Sequence, residues 1–176
     1  MATMLPADMT RENTCCFTGH RHIPEERTDE IKSGLLKIVK ILSDNGYRYF
    51  VCGGALGFDT MAAQAVTESA AEGLDAHLVL ALPCRDQTEK WLRMPSGAET
   101  IREYQHLKGL ASAIIYISEF HTPDCMKERN QLMVDLSSFC IAFYNGTIRS
   151  GAGQTYRMAK KAGLTIYNLH DGSSVE

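Results

Sequence analysis

The sequence is constrained most by a regular alternation of short apolar runs with longer amphipathic segments. In the first long segment, Ile31, Leu35 and Leu42 recur at helical spacing, and Asn45-Gly46 ends the pattern with a typical helix stop. Strand-like runs lie at 15–18, 47–52, 77–82, 113–118, 139–144 and 164–168, and helical patterns at 28–45, 59–72, 86–110, 126–136 and 154–162. Apolar strands that alternate with helices indicate a parallel sheet covered on both faces.

We therefore predict an α/β fold of the three-layer, Rossmann-like kind, a doubly wound and mostly parallel sheet with helices on both faces. A chain of 176 residues suits one domain with a sizeable core. We expect this domain over residues 14–169. A flexible N-terminal lead-in at 1–13 would precede it, and a polar, frayed tail at 170–176 would follow it.

Composition and charge disfavour several classes of protein. Hydrophobic residues make up 44% of the chain and charged residues 22%, as in an ordinary globular domain. No stretch approaches the roughly 20 continuous apolar residues of a membrane span, so we expect no membrane partner. The net charge of -3 makes nucleic acid an unlikely partner, although a local basic patch is compatible with it. Six cysteines without a CxxC pair favour reduced thiols in a cytoplasmic protein.

A glycine-rich loop follows the second strand-like run and opens directly into a helix. It reads Gly53-Gly54-Ala55-Leu56-Gly57-Phe58-Asp59. Glycine lets the backbone approach a phosphate closely, and a helix N-terminus adds unpaired N–H groups. Asp59 is less suited to face an anion, but it could cap the helix or hold a ribose hydroxyl. Alone, the loop is equally compatible with a tight turn that binds nothing.

A second loop of this kind follows the fifth strand-like run. It spans residues 146–155 and adds hydroxyl groups and an arginine to its glycines. Hydroxyls and main-chain N–H groups can wrap a phosphate. Ligands of an open parallel sheet bind at the carboxyl ends of its strands. Two such loops at one edge therefore predict a site for an extended, phosphate-containing molecule.

The end of the first strand and two carboxylates complete the candidate site. Thr18, Gly19, His20 and Arg21 lie at the same sheet edge. Arg21 could grip a phosphate bidentately or be merely solvated, and His20 could donate to a phosphate or only pack. The weak candidates for an acid or base are Asp59 and Glu119, the second of which also fits an exposed turn.

Several familiar signatures are absent from the sequence. No GxGxxG turn follows the first strand, and neither a Walker-type GxxxxGK[ST] nor a GxSxG elbow is present. His20 and His22 alternate on one short segment, but no third or fourth metal ligand lies near them. We therefore expect no metal and no required cofactor.

Four motifs in order carry a family resemblance. They are FTGHR at 17–21, GGALGFD at 53–59, MKERNQLMVD at 126–135 and SGAGQT at 150–155. From residue 15 to about 168 the chain resembles the YpsA-like branch of the SLOG superfamily, which also includes the DprA/Smf DNA-processing proteins and the lysine-decarboxylase-like LOG proteins. The resemblance implies a Rossmann-like fold and a pocket for nucleotides or nucleotide-derived ligands.

The resemblance also implies particular binding residues. Taken with their neighbours, the predicted ligand-binding residues are Thr18, Gly19, His20, Arg21, Gly53, Gly54, Ala55, Gly57, Phe58, Asp59, Arg129, Asn130, Ser150, Gly151, Gly153 and Thr155. LOG enzymes carry a Pro-Gly-Gly-x-Gly-Thr-x-x-Glu motif whose glutamate takes part in cleaving an N-glycosidic bond. Counted from Thr155, that position is Met158 in this chain. The departure argues against phosphoribohydrolase activity.

The sequence supports one leading function and two alternatives. The leading hypothesis is a sensor or carrier of a nucleotide or nucleotide-derived phosphate ligand, ADP-ribose-like or a nucleoside monophosphate, without evident catalysis. The first alternative is a nucleotide hydrolase of the phosphoribohydrolase type, which cleaves a glycosidic or phosphate bond. The second is DprA-like binding of single-stranded DNA, which needs a basic groove with stacking aromatics. Apolar helix faces are compatible with a homo-oligomer.

Overall fold

A computed structural model describes residues 4–176, which form one seven-stranded sheet and five α-helices. The strands are β1 (Thr14–Gly19), β2 (Tyr49–Cys52), β3 (His77–Cys84), β4 (Ala113–Ser118), β5 (Phe139–Phe143), β6 (Thr165–Asn168) and β7 (Ser173–Val175). The helices are α1 (Thr28–Asp44), α2 (Phe58–Ala71), α3 (Gly97–Leu110), α4 (Cys125–Asp135) and α5 (Gly151–Lys161). The strand order is β4-β3-β2-β1-β5-β6-β7, and all neighbours are parallel except β6 and β7.

Helices cover both faces of the sheet and produce two apolar cores. Helices α1 to α3 pack on one face, where Leu35 and Val66 meet Phe50 of β2. Helices α4 and α5 pack on the other face, where Met133 and Ala159 lie in the second core. Each parallel strand therefore buries side chains on both of its faces, which explains its continuous apolar sequence. The predicted three-layer, doubly wound α/β fold is confirmed.

The third strand differs in one detail from the sequence pattern, and the segment after it is broken at Pro95-Ser96-Gly97, as its sequence indicates. The strand was expected to stop before Pro83, but it continues to Cys84, which pairs with Ser118 of β4. The helical pattern at 86–110 is interrupted by Pro95. A 3-10 helix at Gln87–Arg93 precedes the break and α3 follows it. Proline cannot continue a helix, because it lacks an N–H and its ring clashes with the preceding turn.

Both chain ends are more ordered than the sequence predicts. Arg11 Nε donates to the Ser137 carbonyl at 2.9 Å, and Tyr49 Oη donates to Asp8 at 2.6 Å. Residues 4–13 are thus tied to the domain by long-range hydrogen bonds, whereas a flexible lead-in was predicted there. Residues 1–3 of that lead-in lie outside the described residues. The tail is not frayed throughout either, because β7 adds an antiparallel edge strand to β6.

The described chain contains no helix that combines the length and the apolarity needed to cross a membrane. The six cysteines are all free and buried. Cys15 and Cys52 pack in the first core and Cys16 and Cys140 in the second, which is the ordinary behaviour of a buried thiol.

Candidate ligand-binding cleft

The strand order places a switch point between β1 and β5. From β1 the chain builds outward to β4 on one side, and it then returns to build β5, β6 and β7 on the other. The connections after β1 and β5 therefore diverge and leave a crevice at the carboxyl ends of the strands. The glycine-rich loops after β2 and β5 border this crevice.

The loop after β2 is held against the loop after β1 by close backbone contact. The Phe58 N–H donates to the His20 carbonyl at 3.2 Å. Gly57 has a φ of 77°, and a Cβ at this position would overlap the Arg21 carbonyl group. Glycine is therefore required at position 57 for two reasons: the backbone is left-handed there, and it lies close to the Arg21 carbonyl group. This contact fixes Arg21 at the edge of the crevice.

A buried arginine connects helix α4 to the same glycine loop. Arg129 is only 7% exposed, and its Nη1 donates to the Gly53 carbonyl oxygen. Its Nε donates to Asn130 Oδ1 at 2.8 Å, and its Nη1 lies 3.9 Å from Asp59 Oδ2. A Cβ on Gly53 would overlap the guanidinium, so glycine is required there. Burial lowers the pKa of Arg129, while the Asp59 carboxylate opposes that shift.

Asp59 is occupied within the fold. Its Oδ2 accepts a hydrogen bond from the Ala55 N–H at 3.2 Å, which closes the glycine loop back on the start of α2. Burial raises the pKa of Asp59, and Arg129 and the Ala55 N–H act against that rise. Asp59 thus partners a buried cation and caps its own loop. Its chemistry here is structural.

The loop after β5 leads into α5 through a serine cap. Ser150 Oγ accepts from the Gly153 N–H at 2.9 Å and donates to the Thr147 carbonyl at 2.8 Å. The N–H groups of Gly151 and Ala152 precede the first intrahelical hydrogen bond of α5. They carry the positive end of the helix dipole, which suits an anion.

His20 joins the loops after β1 and β5. Its Nε2 accepts from the Asn145 N–H at 3.2 Å, which leaves the proton on Nδ1. Burial lowers the pKa of His20, so the ring is neutral at physiological pH. A neutral ring can still donate one hydrogen bond, from Nδ1.

These elements enclose a cavity of about 380 Å³ between β1, α4 and α5. Its floor contains Met126 and Met133 of α4. Gln154 holds the adjacent wall through a 3.2 Å hydrogen bond from Asn130. The predicted site residues that line the cavity are Thr18, Gly19, His20, Arg21, Ala55, Asp59, Arg129, Asn130, Ser150, Gly151 and Thr155. Residues from four separate sequence motifs thus meet in one place.

A second cavity of about 550 Å³ continues the first one toward β3. Arg21, Ala55, Met126 and Arg129 line both cavities. The two cavities together form one elongated cleft, and Arg21 lies at their junction. A larger cavity of about 770 Å³ opens between α2 and α3, and its charges are mixed, because Arg102 lines it together with Glu99 and Glu103.

Two predicted side chains do not reach the cleft. The Phe58 ring is fully buried and packs against Phe17 and Phe143, because the residue that opens α2 faces the first core. Glu119 is exposed, lies beyond the edge strand β4 and pairs with Arg85 at 3.0 Å. It lines none of the three cavities, so its candidacy as an acid or base is not supported.

Other predicted residues act through their backbone or through bonds within the fold. The Thr155 hydroxyl donates to the Gly151 carbonyl at 3.2 Å, within α5. Gly53, Gly54 and Gly153 do not line the 380 Å³ cavity, and Gly54 lines the larger cavity between α2 and α3 instead. A Cβ on Gly153 would lie 2.7 Å from the Thr147 carbonyl oxygen, so this glycine allows the loop to pack closely against the start of α5.

Sequence reasoning missed two glutamines and a tryptophan. Gln87 Nε2 donates to the Gly54 carbonyl at 2.6 Å, and Gln154 supports Asn130. Trp91 lines the second cavity. Only Trp91 gave a signal, because it is the single tryptophan of the chain. Among residues 4–176, no cluster of three or more His, Cys, Asp or Glu side chains could hold a metal ion.

The fold and the cleft together define a Rossmann-like α/β protein with a polar crevice at the switch point of its sheet. The family model YpsA, described as the YspA SLOG family, matches residues 16–170, and the chain belongs to this family. The SPbeta prophage-derived protein YoqJ of Bacillus subtilis (strain 168) is 28% identical over 163 residues, which cover 84% of this chain and 91% of YoqJ.

Two solved structures share the fold. DNA processing protein A (DprA) from Streptococcus pneumoniae superposes with a TM-score of 0.65 at 16% identity, over 92% of this chain and 51% of DprA. DNA processing protein A from Helicobacter pylori superposes with a TM-score of 0.60 at 20% identity, over 88% of this chain and 64% of that protein. The chain thus spans about half the length of the Streptococcus protein.

Proposed function

We propose that the cleft binds a nucleotide or nucleotide-derived ligand and places its phosphate between Arg21 and the first turn of α5. One observation carries the proposal. Arg21 is exposed and has no ion-pair partner among residues 4–176, although it lies on the same cavity as the N-terminus of α5. A free guanidinium that shares a cavity with a helix N-terminus suits a phosphate dianion.

The second cavity suits the remainder of such a ligand. It continues from Arg21 and is lined by Trp91 and Met94, against which a base or ribose can pack, and by Lys90 and Gln87, which can donate hydrogen bonds. An elongated cleft with a cationic junction favours an ADP-ribose-like molecule or a nucleoside monophosphate over a free phosphate ion.

The arrangement favours binding over turnover. Among the described residues that line the 380 Å³ cavity, Asp59 is the one carboxylate, and it is committed to Arg129 and Ala55. Met158, at the position of the LOG glutamate, packs against the second core. A carboxylate can act as a general acid or base only when it lies free within hydrogen-bond reach of the substrate. A sensor or carrier of the ligand needs none.

Calorimetry with AMP, ADP, ADP-ribose and NAD tests the proposal, alongside native mass spectrometry of freshly purified protein. We expect binding of at least one of these ligands. Arg21→Gln should weaken it by about tenfold to a hundredfold, the loss of a charge-assisted hydrogen bond. Arg93→Gln is the matched control, because Arg93 is exposed and lines none of the cavities. Failure of all four ligands to bind, with none retained on purification, would overturn the proposal.

The two alternative functions predict different results in the same samples. Hydrolysis would appear as loss of AMP or ADP-ribose during a long incubation. Single-stranded DNA binding, which the Helicobacter DprA structure describes for that protein, would appear here as a gel shift at low salt. The charges of the second cavity are mixed, because Asp86 and Glu89 accompany Lys90. This mixture favours a small ligand over a polyanion.

A further inference from the structure

One edge of the sheet is long and apolar. Strand β4 has six residues and, among residues 4–176, pairs only with β3, so its outer backbone groups face outward. The opposite edge strand, β7, has three residues and begins with two serines. Proteins usually protect an edge strand by making it short, charged or irregular. Strand β4 is neither short nor charged in its own sequence, and Arg85 and Lys108 lie over its Tyr116 ring, whereas β7 is short and polar.

The sequence around β4 is symmetric about Ile115. In an antiparallel pair of identical strands centred on one residue, positions at equal distances from the centre lie opposite each other. Over residues 112–118, centring on Ile115 places the following residues opposite each other in two copies: Ile114 and Tyr116, Ala113 and Ile117, and Ser112 and Ser118. Apolar residues thus meet apolar residues and serine meets serine.

Two exposed apolar side chains flank the strand. Leu110 is 50% exposed at the end of α3, and Phe120 is 73% exposed just after β4. A large apolar side chain at this exposure is a common feature of interaction surfaces when it adjoins further apolar area. Leu110 and Phe120 therefore add exposed apolar surface near the two ends of β4.

The faces of the strand match as well. Ile114 and Tyr116 pack against the core beneath α1 to α3, whereas Ile115 packs against the core beneath α4 and α5. Residues that lie opposite each other in the symmetric register have the same parity and therefore share a face. Each core would continue across the junction into the same core of the second copy.

We infer that the outer edge of β4 binds a second copy of this chain, antiparallel and with the twofold axis at Ile115, so that two seven-stranded sheets become continuous. An isologous contact of this kind closes on itself and does not form fibres. A single strand edge with four flanking side chains is a small interface, so the dimer should dissociate on dilution. The inference does not depend on the proposed ligand.

A single introduced cysteine tests the register. Directly opposite Cβ atoms in an antiparallel pair lie about 4.5–5.5 Å apart, which is close to disulfide geometry. Ile115→Cys should therefore cross-link to itself under mild oxidation and run as a covalent dimer on a non-reducing gel. The six native cysteines are buried, so the wild type should not cross-link. Phe120→Cys is the matched control, because two copies of residue 120 would be about 33 Å apart.

Charge substitutions give a second, independent measurement. Ile115→Lys and Ile115→Glu each place like charges opposite each other, so each variant alone should sediment as a monomer at concentrations where the wild type is a dimer. Their mixture should dimerise, because the opposite charges then face each other. Circular dichroism establishes that both variants fold. A wild type that is monomeric at every concentration, or equal cross-linking of the two cysteine variants, would overturn the inference.

Discussion

The two glycine-rich loops of the cleft look alike in sequence and differ in the structure. In the loop at 53–59, Gly53 accepts from Arg129, Gly54 accepts from Gln87, and Ala55 donates to Asp59. In the loop at 146–155, residues 146–149 are exposed, and Ile148 is 70% exposed. The first loop is held by side chains from distant elements, whereas the second is held by nearby residues such as Ser150 and Arg157 and offers N–H groups at the start of α5.

This difference predicts that the first loop contributes mainly to stability and the second mainly to ligand binding. A polar group that is already partnered inside the protein contributes to stability, and a group left free at a helix N-terminus is available to a ligand. Substitutions in the first loop should therefore lower the free energy of unfolding most. Substitutions in the second loop should cost less stability and act mainly on ligand affinity.

Removal of the buried cation should have the largest effect. Arg129→Ala leaves Asp59 as a buried, unpaired carboxylate and leaves the Gly53 carbonyl without its partner. We expect the free energy of unfolding in urea to fall by about 3–5 kcal/mol. The exposed Arg102→Ala serves as control and should change it by less than about 0.5 kcal/mol. Similar small losses in both variants would show that the first loop is not held by Arg129.

The loss of unfolding free energy caused by Arg129→Ala should also depend on pH. Burial raises the pKa of Asp59, and the variant lacks the guanidinium that opposes this rise. A folded-state pKa above the unfolded value gives stability that is present below the unfolded pKa and lost as pH rises through the folded pKa. The loss of unfolding free energy relative to wild type should therefore be smallest below the unfolded pKa of aspartate, about 3.9, and grow as the pH rises above it. Urea titrations at a series of pH values measure this loss, and a constant loss would contradict the pairing.

The next largest effect on stability should come from Gly57, and Gly146 serves as its control because both glycines have left-handed backbones. Gly57 and Gly146 have φ values of 77° and 89°, but only at Gly57 would a Cβ overlap another residue. Gly146→Ala should cost about 1 kcal/mol of backbone strain. Gly57→Ala should cost at least about 1–3 kcal/mol more, because the loop after β1 must move. Equal losses in thermal unfolding would exclude the close approach as the reason for Gly57.

The cap of α5 should have a smaller effect on stability. Ser150→Ala removes the acceptor of the Gly153 N–H and should cost about 1 kcal/mol, whereas Ser150→Gly should cost only a few tenths. If the proposed ligand binds here, Ser150→Ala should also weaken it, because the start of α5 becomes less ordered. A loss of several kcal/mol would mean that the second loop is as integral to the fold as the first.

Substitution of Glu119, an exposed carboxylate, should have the smallest effect on stability. Glu119→Gln removes an exposed ion pair with Arg85, which lies outside the cleft. We expect a change of less than about 0.5 kcal/mol in unfolding free energy and no change in ligand affinity or in any hydrolysis of AMP. A clear loss of hydrolysis in this variant would restore Glu119 as a catalytic candidate.

Local chemistry explains why much of the fold could be predicted. Apolar strands alternate with helices at spacings fixed by backbone geometry, so even β4 was located at its true bounds, Ala113–Ser118. The differences lie where a distant contact decides the outcome. Residues 4–13 are ordered by Arg48, Tyr49 and Ser137, none of which is a sequence neighbour. Such contacts leave no local periodicity to detect.

In the candidate site, too, some properties of single residues follow from local sequence and others from distant contacts. Arg21 and Arg129 belong to similar motifs, but one is exposed at the junction of the cleft and the other is buried beneath the glycine loop. The motif order could not distinguish them, because burial depends on which elements pack together. Phe58 shows the opposite case, since its loop lies at the cleft while its ring belongs to the core.

The sequence by itself determined the class of fold, the family and the two glycine-rich loops, because hydrophobic periodicity and short motifs are local properties of the chain. Only the tertiary structure decided which loop is closed by the protein and which remains open. That outcome depends on Arg129, which comes from a helix 76 residues beyond Gly53 in sequence. Its guanidinium reaches the loop because Arg129 lies near the start of α4, which begins at the carboxyl ends of the strands.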